Sequence, residues 1–341
     1  MSTTDPQIRT ALRTVAESCR VARAVQKDLQ RVRQITKDDR SPVTVADFAV
    51  QAIVSLALHE HDPDVLIVGE ERADALRADG QTAVRQAVVE AVRRCRPGVT
   101  EEQVLDAIDR GGHDGSAEAY WALDPIDGTK GFLRGQQYAI ALGRIESGRV
   151  VLGVMGCPNL PADFAASLSQ ADDRGLLYLG AAGQGAWQLP ADDPHADARA
   201  VKARDAAPEH GLQVCESVES GHSRQDDTKR IVDELGGAGD PVRLDSQCKY
   251  AVVARGQADA YLRFPTSRSY VEKIWDHAAG SVIASESGAV VTDITGAGLD
   301  FTHGRRLEVN RGIVCASAPV HGQILEAIER LNLGIPARVE G

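Results

Sequence analysis

Between Trp121 and Phe132 the chain reads WALDPIDGTKGF, and few folds can accommodate such a stretch. Trp121, Ala122 and Leu123 close an apolar run of strand character. Pro125 has no N–H for a sheet ladder, so regular hydrogen bonding must fail just past that run. The proline also stiffens the turn, so that Asp124 and Asp127 can face one point. Two carboxylates this close repel, and one would hold a proton unless something compensates. Gly128 lets another backbone or a ligand come near, and Thr129 offers an N–H and a hydroxyl suited to a phosphate. Taken alone, DxxDG has a second reading, an Asx-type turn whose acids satisfy backbone donors.

Other segments bear on that choice. VLIVGEE is a short apolar run ending in Glu70 and Glu71. Both acidic pairs lie where a strand runs out, which is where open α/β sheets place ligands. Asp276, in EKIWDHAAG, precedes a helix of small residues, as a ligand or as an N-cap. KDDRSPVTVAD supplies Asp39 and Asp47, with Thr44 expected to cap the helix that follows. Acids without accompanying His or Cys favour a hard cation such as Mg²⁺ or Mn²⁺ over Zn²⁺.

The 341 residues allow two ordinary domains. A formal net charge of −11 leaves no basic surplus for nucleic acid, though metal ions could still recruit a small phosphorylated substrate. Six cysteines without pairing rhythm, a polar N-terminus and the lack of a membrane-length apolar run imply a reduced, soluble, cytoplasmic protein. Asp5-Pro6 reads as the cap and first residue of a long helix, and DFAVQAIVSLALHEH as a second helix. TEEQVLDAIDR is a helix within 73–118. Hairpins are expected at 138–158, turning at Glu146-Ser147-Gly148, and at 175–190, turning near Gly183. The polar stretch 191–210 reads as a linker. Beyond it, short strands alternate with helices, as α/β architecture requires. The expected organisation is an N-terminal α+β domain, 1–200, and a smaller C-terminal α/β domain, 201–341.

In order along the chain stand an acid before a Thr-Asp helix start, then GEE, DPIDGT and WDHAAG. This set resembles the lithium-sensitive, magnesium-dependent phosphatase superfamily of the inositol monophosphatases. The resemblance implies a layered α-β-α-β-α sandwich. It implies that Glu70, Asp124, the Ile126 carbonyl, Asp127 and Asp276 ligate two or three Mg²⁺ ions. Mn²⁺ would be a substitute and Li⁺ an inhibitor. It further implies that Thr129 and Asp39 orient or activate the attacking water, and leaves Glu71 in a supporting position.

TKGFLRG after the shared core, IDRGG from Ile108 and GCPNL from Gly156 resemble the 3′(2′),5′-bisphosphate nucleotidase branch. So does the ordered set GHS, DSQCKY, YLRFP and KIWDHAAG. By this resemblance Gly128, Thr129, Glu219, His222, Ser246, Lys249, Arg263 and Asp276 would surround an adenosine bisphosphate. Lys or Arg donors suit a second phosphate held away from the metals. The implied reaction is hydrolysis of adenosine 3′,5′-bisphosphate to AMP, with its sulfated relative 3′-phosphoadenosine 5′-phosphosulfate as a further substrate. The alternatives are an inositol-phosphate phosphatase, acting on inositol 1,4-bisphosphate or a monophosphate, and a catalytically silent nucleotide sensor. A monomer is expected by analogy with the fold.

Overall fold

The computed structural model describes residues 5–33, 41–205, 211–218, 225–237, 241–267 and 269–333, without the side chains of 29–43. The chain begins with α1 (Pro6–Arg33), capped by Asp5, whose Oδ1 accepts from the Gln7 N–H at 2.8 Å. Next come α2 (Ser41–His61), β1 (Ile67–Gly69), α3 (Asp74–Arg77), α4 (Thr82–Arg93) and α5 (Glu101–Asp109). The helix expected at Asp47 therefore starts at Ser41. Thr44 lies inside its first turn rather than capping it, because Pro42 has the fixed φ that suits the start of a helix.

A first sheet holds β1, β2 (Ala119–Asp127), β3 (Ala139–Glu146), β4 (Arg149–Cys157), β5 (Leu176–Ala181), β6 (Gly185–Pro190) and β7 (Arg199–Ala200) in sequence order. Between β2 and β3 lies the short α6 (Thr129–Arg134). Both expected hairpins form, β3–β4 and β5–β6. The 191–210 stretch is more than a linker, since β7 within it pairs with β6. The rest of the chain supplies β8 (Val214–Glu216), α7 (Gln225–Glu234), β9 (Val242–Arg243), α8 (Cys248–Ala254) and β10 (Ala260–Arg263). It ends with α9 (Ala278–Glu286), β11 (Ala289–Thr292), β12 (Ile313–Ser317) and α10 (Ala318–Arg330). The second sheet runs β11-β12-β10-β8-β9.

Helices α1 and α2 cover one face of the first sheet, and α9 covers the other. Helix α8 packs on α9 and beneath β8, β10 and β12, while α10 lies against β11, β12 and α7. The result is α-β-α-β-α layering, as expected. Helix α9 can sit low on the first sheet because a row of small residues crosses the strands in register: Ala122, Gly143, Gly153, Gly180 and Ala186. A Cβ on Gly143 would come within 2.8 Å of the Ala278 Cβ, and one on Gly180 within 2.6 Å of the Ile283 Cα. Small residues on the helix, Ala278 and Ala279, complete the close approach. All six cysteines are free, and five of them are buried.

Candidate active site

Strand β2 resolves the strain that its sequence poses. Leu123 and Ile126 both pack into the core under α1 and α2, although side chains three apart on a regular strand face opposite ways. The register with β3 slips between Asp124 and Asp127, where three residues of β2 span two of β3 (Asp124 opposite Ala141, Asp127 opposite Ala139). The extra residue reverses the alternation, so Asp124 and Asp127 share the other face. Gly128 then turns the chain with φ +88°, and a Cβ there would fall 2.8 Å from the Ser246 Cβ. Thr129 opens α6 just beyond it.

Strand β1, parallel to β2, delivers Glu70 beside this turn. Gln51, fully buried on α2, holds the Glu70-Glu71 segment after β1 in place. Its Nε2 donates to the carbonyls of Glu71 (2.7 Å) and Ile108 (2.8 Å), and its Oε1 accepts from the Glu71 N–H at 3.0 Å. Gly69 and Gly111 leave room for it, since a Cβ on either would lie within 2.6 Å of its amide. From the opposite side Arg305, stacked 4.7 Å over the Trp275 ring, donates to the Gly69 and His113 carbonyls. Asp276 ends a 3-10 turn, Ile274–Asp276, immediately before α9.

One cavity of about 740 Å³ gathers these groups. Its wall includes Thr44, Glu70, Asp124, Ile126, Asp127, Gly128, Thr129 and Asp276. Ser246, Lys249, Tyr261 and Arg263 line it as well. Of the residues singled out by sequence, Asp39, Glu219 and His222 lie outside the described residues. Asp47 is buried on α2 near Glu70 and Glu71 and is not among the wall residues.

The acids are electrostatically unsatisfied. Burial, then Glu70, Asp127 and Asp276, holds the Asp124 carboxyl well above the usual range. Partial enclosure, then repulsion by Asp276, Glu71 and Asp127, pushes Glu70 up to about 8. Burial raises Asp276 to about 6, against the attraction of Arg263 and His277. The Asp124 Oδ1 is buried without a hydrogen-bond partner. An orphaned carboxylate oxygen surrounded by further oxygens fits a hard divalent cation, which would supply the missing partner and cancel the repulsion. Glu272, Asp276 and His277 also bring one ligand atom each within 4.8 Å of one another. Glu272 is already engaged there, with Arg263 Nε on Oε1 at 3.0 Å and His277 Nε2 on Oε2 at 3.1 Å. Glu272 and Asp276 both line the cavity, and Asp276 is the more exposed of the two.

The cavity also carries two cations, Lys249 and Arg263. Lys249 sits on α8, 3% exposed, with Nζ 3.4 Å from the Leu244 carbonyl and 5.1 Å from the Tyr261 ring centroid. Burial lowers its pKa. Burial opposes the charge on Arg263 too, but Glu272, Tyr261, Asp276 and Tyr270 together outweigh it and raise its pKa. Arg263 also donates to the Tyr270 hydroxyl at 3.0 Å and lies 3.9 Å from Asp276. Gln51, Gln247 and Glu272 are site-building residues that the sequence reading passed over. Gln51 had a signal, a lone amide inside the apolar run DFAVQAIVSLAL.

The profile of the inositol monophosphatase family matches residues 4–333. A 3′(2′),5′-bisphosphate nucleotidase of Emericella nidulans is 40% identical over 321 residues, covering 87% of this chain and 90% of that protein. One of Schizosaccharomyces pombe is 42% identical over 304 residues, covering 86% and 85%. Among solved structures, Mycobacterium tuberculosis SuhB aligns with a TM-score of 0.60 at 20% identity, covering 96% of each chain. CysQ from Bacteroides thetaiotaomicron aligns with a TM-score of 0.60 at 18% identity, covering 91% of this chain and 97% of that one. With its layers, its acidic cavity and a profile match over nearly its full length, the chain belongs to the inositol monophosphatase family.

Proposed function

We propose that this chain is a 3′(2′),5′-bisphosphate nucleotidase, which hydrolyses the 3′-phosphate of adenosine 3′,5′-bisphosphate to give AMP and inorganic phosphate. 3′-Phosphoadenosine 5′-phosphosulfate is a second substrate in this reading. The observation that carries it is a single cavity that holds both a carboxylate cluster and two cations, Lys249 and Arg263, the latter 3.9 Å from Asp276. A monophosphate needs only the first; a bisphosphate uses both. Relatives at 40% and 42% identity carry the name of this activity.

In this reading Glu70, Asp124, Asp127, Asp276 and the Ile126 carbonyl hold two or three Mg²⁺ ions, with Mn²⁺ as a substitute and Li⁺ as a competitor. Such ions supply Lewis acidity to the phosphate and the leaving oxygen. The chain's own groups do the positioning. Thr129, exposed to the cavity at the head of α6, orients the attacking water together with Asp39. Gly128 keeps the approach to the phosphate clear of side chains. Lys249 and Arg263, with His222, serve the base or the 5′-phosphate, Ser246 donates a hydrogen bond nearby, and Glu219 belongs with the substrate-binding residues. Among the described residues no helix is long and apolar enough to cross a membrane, and the reading is of a cytoplasmic monomer dividing near residue 200.

The test is phosphate release with Mg²⁺ from adenosine 3′,5′-bisphosphate, inositol 1-phosphate, inositol 1,4-bisphosphate and fructose 1,6-bisphosphate. The highest kcat/KM is expected on the adenosine compound. A higher value on either inositol phosphate overturns the assignment.

A further inference from the structure

The acidic end of the cavity is assembled from parts of the chain that do not touch in sequence: Asp127 leaves the first sheet, and Asp276 arrives on the turn before α9. One buried residue, Gln247, is bonded to Asp127 and to the backbone on either side of Asp276. It is 2% exposed and lies just ahead of α8. Its main-chain N–H donates to Asp127 Oδ2 at 2.6 Å. Its side-chain Nε2 donates to the carbonyl of Trp275, the peptide that leads into Asp276, at 2.9 Å. Its Oε1 accepts from the Gly280 N–H, in the first turn of α9, at 3.1 Å. Every polar group of the amide that could brace the Asp276 turn is therefore used. The neighbouring Ser246 adopts φ +74°, a conformation that costs a non-glycine residue energy and that brings the Gln247 N–H to Asp127.

The geometry points to Gln247 as a positioning residue that fixes the separation of the Asp127 and Asp276 carboxylates, and through it the affinity for divalent cations. Two residues further on, α8 carries Lys249, so the brace also ties the acidic cluster to a cation of the same cavity. This inference rests on the proposed reading that Asp127 and Asp276 bind metal together.

Gln247→Met keeps length and volume and leaves the main-chain bond to Asp127 in place, while removing both side-chain bonds. Asn310→Leu is the matched control: Asn310 is also buried, accepts from the Asp300 N–H at 2.8 Å and donates to the Gly298 carbonyl at 2.9 Å, away from the cavity. Mg²⁺ and Mn²⁺ binding would be measured by calorimetry and by the metal-dependent rise in Tm for the wild type and both variants. Both substitutions are expected to lower the metal-free Tm. Only Gln247→Met is expected to weaken ion binding, by tenfold or more. Should Gln247→Met yield no folded protein, Gln247→Asn, too short to reach both partners, is read in the same way. In an Asp276→Asn background, Gln247→Met should add little further loss, because the carboxylate it places is already gone. Wild-type ion affinity in the Gln247 variants, or equal weakening by Asn310→Leu, overturns the brace while leaving the metal reading intact. A wild-type protein that binds neither ion overturns the metal reading and this inference with it.

Discussion

At the scale of single residues, the cavity separates groups that would act on the reacting phosphate from those that would hold the substrate. Asp127→Asn removes a charge from the acidic cluster but keeps the shape and the bond from the Gln247 N–H. Its kcat is expected to fall at least about a hundredfold with the circular dichroism spectrum unchanged; near-normal turnover would dissociate Asp127 from the chemistry. Lys249→Ala should raise KM for adenosine 3′,5′-bisphosphate about ten- to a hundredfold, in line with a charge-assisted hydrogen bond, and change KM for 3′-AMP far less. Steady-state kinetics on the two substrates separates these effects. Arg263→Ala is a poorer probe, because it also strips Glu272 of its buried partner. The acids themselves were legible in the sequence, since GEE and DPIDGT each concentrate their chemistry within a few residues. Gln247 stood within one of the quoted motifs, yet its role depends on partners 120 and 28 residues away, which no local pattern reveals.

At the scale of elements, the hairpins of the first sheet followed from alternation and turn residues, β7 was hidden in a stretch that reads as a linker, and the second helix missed only its start. The reversal of facing in β2 was beyond a sequence reading. Pro125 says that the ladder must falter, but only the pairing with β3 says by how many residues. Nor could the glycines of three separate strands be read as one row before their register was known. That row yields a prediction. Gly153→Val would press into the Ala279 carbonyl and the Val282 side chain, each 2.6 Å from the place of its Cβ. Overpacking of this kind costs about 1–3 kcal/mol or more, so thermal denaturation should show a clear drop in Tm. Because α9 begins at Ala278, with only His277 between it and Asp276, the Mg²⁺ concentration needed for half-maximal activity should rise as well, although no acid has been altered.

For the whole molecule, the unpaired acids make stability depend on both pH and metal. Glu70, raised to about 8 in the folded protein, binds its proton more tightly there than in the unfolded chain. Its contribution is therefore fully present below the ordinary carboxylate range near pH 4.5 and is lost as pH climbs through about 8. Asp276, raised to about 6, acts in the same direction over a narrower window. Glu272 acts oppositely: despite burial, Arg263 and His277 hold it at about 2, so its contribution survives above pH 4.5 and fades toward pH 2. Metal-free protein should thus lose thermal stability between pH 5 and 8, and added Mg²⁺ should raise Tm more at pH 8 than at pH 5. Differential scanning fluorimetry across that range checks it; a metal effect independent of pH would contradict it. The layered architecture was legible from the order of the motifs, but the sharing of one helical layer between the two sheets, with α9 on the first and α8 beneath the second, was not. That sharing has a consequence for biogenesis. A polypeptide caught before both sheets have closed on their common helices would be inert toward phosphate esters, however complete each sheet was, so catalysis here reports that folding has finished.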